Sequence, residues 1–136
     1  MLVSADQLLC HLIGDYVLQS DWMASEKTKR LWPALVHAMV YAVPFMFLID
    51  WHRPNPGYAL SVIVITHQVI DHFRLARYVC WIKNLPSPKD YRFPWSECTA
   101  TGYHKDKPIW LTCWLLFICD NTMHIMINAL ALKYIP

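Results

Sequence analysis

Pro108 to Lys133, PIWLTCWLLFICDNTMHIMINALALK, decides how the rest of the chain is read. The stretch is apolar and long enough to cross a bilayer, since a span needs roughly 20 residues at about 1.5 Å each. Its middle nevertheless carries Asp120, His124 and Asn128, which at i, i+4 and i+8 form one polar stripe on a helix. A carboxylate at mid-membrane costs about 2.5–3.5 kcal/mol on insertion scales, so Asp120 calls for a partner, a cation or water in front of it.

Composition points the same way. Of 136 residues, 56% are hydrophobic and only 16% charged, on the membrane side of globular usage, and three glycines leave the chain free to form helices. The expected architecture is a single all-α domain, residues 1–136: a polytopic membrane bundle of four helices with a long loop between the third and fourth. The opening MLVSADQLLCHLIGD lacks the basic region of a secretory signal, so Met1 is expected to be retained. Five cysteines without CxxC spacing lie mostly in apolar surroundings and read as small buried hydrophobes. A net charge of +2, with the basic residues beside apolar segments, gives no reason to expect a nucleic-acid partner.

Working outward, the first segment, residues 2–19, is the least hydrophobic. Gln7, His11, Asp15 and Gln19 follow one another at i+4, with Gly14 alongside to admit a close neighbour. It either crosses the membrane with this stripe against protein, or lies in the interface. Ser20 to Trp32 is a polar, basic loop bracketed by tryptophans, and Pro33 opens a second apolar segment in which His37 and Tyr41 share a face and Pro44 predicts a kink. The third segment begins near Tyr58 and carries His67 and Asp71 at i, i+4. Lys27, Lys29, Arg30, Arg74, Arg77, Lys83, Lys89, Arg92, Lys105 and Lys107 lie in or beside the first and third loops, against Arg53 and Lys133 on the other side. That bias places those loops in the cytoplasm of a multi-pass protein of a bacterial inner membrane.

The chemistry-bearing pattern is the recurrence of His and Asp one turn apart: His11 with Asp15, His67 with Asp71, and Asp120 with His124, with His37 from the remaining helix. This spacing puts both side chains on one face, where they can reach one cation or two neighbouring ones. Chance would supply about one such pair in a chain of this composition. The weight lies in placement, because each pair sits in a segment where an unpaired charge is expensive. Mixed imidazole and carboxylate suit Zn²⁺, Mn²⁺, Fe or Ni²⁺ better than Ca²⁺. The expected metal set is therefore His11, Asp15, His37, His67, Asp71, Asp120 and His124, holding one or two divalent ions, zinc or manganese first. Proton relay and hydrogen bonding between helices are the alternatives. His52, His72 and His104 fall outside the set.

The runs HLIGDYVLQSDWMASEK, LVHAMVYAVPF, ITHQVIDHFRLARYVCWIKN and TGYHKDKPIWLTCWLLFICDNTMHIMIN resemble an uncharacterised family of small integral membrane proteins from bacteria and phages, domain of unknown function 3307. The likeness covers nearly the whole chain, and HxxGDxxLQxDWM is its most specific part. It implies a membrane location and a phage connection, and no established activity. HxxGD and THxxxD also resemble membrane proteins described as metal-dependent hydrolases.

Three functional classes follow. The first is a membrane-embedded metal hydrolase acting on a lipid or lipid-linked phosphate, with Asp71 and Asp120 as catalytic carboxylates and a metal-bound water of lowered pKa. The second is a metal or proton transporter, disfavoured by four short helices without an inverted repeat. The third is a non-enzymatic membrane factor that binds a host membrane protein.

Overall fold

A computed structural model describes residues 3–52 and 54–135. Residues 1, 2, 53 and 136, among them the Met1 and Arg53 used above, lie outside the described residues. Every regular element within them is helical: α1 (Ala5–Leu12), a π-helical turn (Ile13–Val17), α2 (Asp21–Glu26), α3 (Leu31–Ala42), a 3₁₀ turn (Pro44–Phe47), α4 (Pro56–Phe73), α5 (Ala76–Ile82), two 3₁₀ turns (Lys89–Tyr91 and Trp95–Glu97) and α6 (Ile109–Tyr134). The chain divides into two compact units, Met1–Phe73 with His124–Pro136, and Arg74–Met123.

In the first unit, Ser4 caps α1 by accepting from the Gln7 amide at 3.2 Å, and Ser20 caps α2 from the Met23 amide at 3.3 Å. After α1 the helix widens by one residue, with the Leu18 amide bonded to the Ile13 carbonyl at 3.0 Å. Gly14 sits in this turn because no side chain fits: a Cβ there would lie 2.6 Å from the Tyr41 carbonyl oxygen. The close approach expected of Gly14 is thus made to α3. Pro44 does more than kink its helix, since α3 stops at Ala42 and a 3₁₀ turn begins at the proline. α3 packs on α4, and Tyr41, Ala42, Phe45, Ile63 and Ala131 form the apolar core. Beside it Gln7, His11, Asp15, His37, His67, Asp71, His124 and Asn128 are all buried.

The second unit starts as the chain leaves α4 through Arg74, whose φ of 53° lies in the left-handed region. The loop from Asn84 to Lys107 is ordered against α5. Arg77 donates to the Thr99 carbonyl at 3.1 Å, Trp81 Nε1 donates to the Phe93 carbonyl at 3.0 Å, and Trp95 stacks on Tyr78. Gly102, at φ 82°, sits where any Cβ would strike the Arg77 carbonyl.

The all-α expectation stands, while the bundle of four spans does not. Among the described residues α6 alone is long and apolar enough to cross a membrane, with a mean hydropathy of 1.5. The reasons are local. The π turn ends α1 after eight residues, Pro44 ends α3 after twelve, and in α4 the polar Thr66, His67, Gln68, Asp71 and His72 offset the aliphatic residues. Multi-pass topology is therefore not supported by helix length and composition.

Candidate metal centre

Four segments of the first unit converge on one point. α4 supplies His67 and Asp71 from adjacent turns of one face, α3 supplies His37, and the π turn supplies Asp15. The wider turn carries Asp15 away from a simple stack under His11. Their Nε2 to Oδ2 separation is 3.9 Å, whereas Oδ1 of Asp15 meets Nε2 of His37 at 3.2 Å. His124 arrives from α6, with Nε2 3.2 Å from Oδ1 of Asp71.

Asp15, His37, His67 and Asp71 each offer a ligand atom within 4.8 Å of the other three, so these buried groups could hold a metal ion. Around Oδ1 of Asp15, Oδ2 of Asp71 and the two Nε2 atoms, five separations are 3.2, 3.2, 3.6, 3.3 and 2.9 Å. A tetrahedral ion about 2.0–2.1 Å from each ligand would set that spacing near 3.3–3.4 Å. Hydrogen bonding accounts less well for the same geometry. Nε2 of His37 faces Asp15, Asp71, His67 and also Lys27 at 3.2 Å or less, yet a ring nitrogen carries only one proton or one lone pair. The Nδ1 atoms of His37 and His67 are buried without a hydrogen-bond partner, so neither ring has the outer-side support that usually orients a metal-binding histidine.

Lys27, at the C-terminal end of α2, completes the cluster. Its Nζ lies 2.6 Å from Oδ2 of Asp71 and 4.0 Å from Oδ1 of Asp15. The first contact is an ion pair without the direction of a good hydrogen bond, and Oδ2 remains without one. With the imidazoles neutral, Asp15, Asp71 and Lys27 sum to a charge of −1 in buried space. A divalent ion would reverse that sign.

Of the remaining expected ligands, His124 adjoins this group through Oδ1 of Asp71. His11 meets the Tyr41 hydroxyl through Nδ1 at 2.8 Å, one step behind Asp15. Asp120, one helical turn before His124 on α6, belongs to the other unit. Sequence reasoning missed Lys27, whose position in a basic loop looked like a topology signal. It also passed over the hydroxyl of Tyr41, which receives the Asn128 side-chain amide at 2.5 Å and whose ring stacks on His67 at 3.7 Å. The i+4 relation of Tyr41 to His37 was the only signal available.

No curated protein and no solved structure matches the chain. A family model matches residues 3–135, and on that span the chain belongs to the family described as protein of unknown function (DUF3307).

Proposed function

We propose that this is a membrane protein built around one buried divalent-metal centre, with Asp15, His37, His67 and Asp71 as ligands and zinc as the ion. The observation that carries the reading is the set of five ligand-atom separations close to a tetrahedral edge. Those spacings and the two imidazoles favour zinc over manganese, which prefers octahedral oxygen ligation. The membrane part rests on an inverted distribution. Leu9, Leu12, Met39, Phe47, Ile65 and Leu130 are exposed while Gln7, His11, Asp15, His37, His67 and Asp71 are buried, which suits acyl chains better than water. In this reading the basic run from Lys27 to Arg30 remains on the cytoplasmic side. The centre serves first to tie α3, α4 and the π turn together. As a Lewis acid it would serve the hydrolysis of a phosphate ester once a further ligand position opens.

The test is metal analysis of protein purified in detergent, together with its cobalt-substituted form. About one zinc per chain is expected, along with the strong visible absorption of tetrahedral cobalt(II). His67→Ala and Asp71→Asn should lose both while remaining in the membrane fraction. A second reading has its own support in the Lys27–Asp71 ion pair at 2.6 Å, which lowers the cluster's negative charge without any metal. Protein from zinc-replete medium that carries no metal, and whose unfolding is indifferent to chelator, would establish that reading and remove the first.

A further inference from the structure

The position of Lys27 relative to the four ligand atoms says where a further ligand can enter. Its Nζ is 2.6 Å from Oδ2 of Asp71, 3.2 Å from Nε2 of His37 and 4.0 Å from Oδ1 of Asp15. These three atoms form one face of the tetrahedron, so the ammonium stands over that face, opposite the fourth ligand, His67. A zinc ion that expands from four ligands to five accepts the newcomer through such a face. Lys27 is held there by its backbone, since its carbonyl oxygen lies 2.9 Å from Nδ1 of His72 on α4. Its side chain is 17% exposed, against 6% or less for the four ligands, so this is the side on which the centre meets its surroundings.

Charge then selects the newcomer. A divalent ion with the Asp15 and Asp71 carboxylates and neutral imidazoles sums to zero, and Lys27 leaves +1. An unbalanced charge in a largely buried site is costly, so one negative charge is called for. The anion must also present at least two oxygens, one for the metal and one for the ammonium. We infer that the face covered by Lys27 is a binding site for a phosphate group, carried by a lipid headgroup or as free phosphate, whose oxygen becomes the fifth metal ligand while Lys27 turns from Asp71 onto a second oxygen. A lysine ammonium suits this task as a mobile point charge. The inference rests on the zinc reading above.

The experiment is equilibrium dialysis of labelled inorganic phosphate against detergent-purified protein, zinc-loaded and chelator-stripped, in the parent, Lys27→Met and Lys27→Arg. Zinc should strengthen phosphate binding by about fivefold or more, the lower range of ordinary coupling between sites. Lys27→Met should weaken it by a similar factor at full zinc content, and Lys27→Arg should restore most of it. Displacement of the label by phosphatidic acid in mixed micelles assigns the site to a headgroup, and resistance to displacement assigns it to free phosphate. Equal binding with and without zinc, equal binding by parent and Lys27→Met, or displacement by acetate as effective as by phosphate overturns the inference and leaves the metal centre standing. Failure of the parent to retain zinc overturns both.

Discussion

Tyr41 shows how a single side chain is shared between the core and the site. Its ring belongs to the apolar core and stacks on His67, while its hydroxyl meets His11 and accepts from Asn128. Tyr41→Phe keeps the ring and deletes the acceptor, leaving the buried Asn128 amide short of a partner. The expected cost is about 1–3 kcal/mol. Denaturant unfolding in detergent should show a lower midpoint with zinc content unchanged, because the hydroxyl ligates nothing. An unaltered midpoint would mean that the hydroxyl network contributes no stability. At this scale the sequence was readable where chemistry repeats with the helical period: His67 with Asp71, and Asp15 and His37 as polar interruptions of apolar runs. Lys27 was not readable, because nothing local encodes a contact that spans the distance in sequence from Lys27 to Asp71.

At the scale of elements, helicity was legible from composition and helix length was not. Pro44 was visible, but a kink and a stop have the same sequence signal, and packing decides between them. The π turn has no period of its own. It shows in the structure, where the Leu18 amide bonds to the Ile13 carbonyl beside the close fit of Gly14 against Tyr41. Such turns gather at functional sites, and here the turn aims Asp15. Among the described residues only α6 passes for a span by itself, which makes a direct prediction. Placed in an insertion reporter, Ile109–Tyr134 should cross the membrane unaided. Pro56–Phe73 should not, since Thr66, His67, Gln68, Asp71 and His72 leave its apolar run too short to span. Independent insertion of α4 would show that its polar face is no barrier and would revive the expectation of several autonomous spans. Lys in place of Ile118, which is exposed on α6, should lower insertion of that segment by about 2.5–3.5 kcal/mol.

At the scale of the whole molecule, the two compact units make different use of their polar residues. In the first, the charged and imidazole groups are interior and draw together segments as distant in sequence as Asp15, His37, Asp71 and His124. In the second, arginines and aromatic rings fasten a loop to α5 through backbone carbonyls and stacking, with no metal-type cluster of its own among the described residues. A metal bound only to the native first unit stabilises it by mass action, by roughly 2.7 kcal/mol when the free ion is at 100 times its dissociation constant. Removing the ion leaves two carboxylates close together beside the Lys27 ammonium, so opening of that unit should become easier. Hydrogen exchange measured with zinc and then with chelator should therefore show faster exchange in α3, the π turn and the His67 to Asp71 part of α4. Amides of Arg77 to Ile82 and of the turn at Trp95 should exchange at unchanged rates. Acceleration spread equally over both units would show that the centre supports the chain globally. No acceleration anywhere would return the cluster to the metal-free ion pair between Lys27 and Asp71.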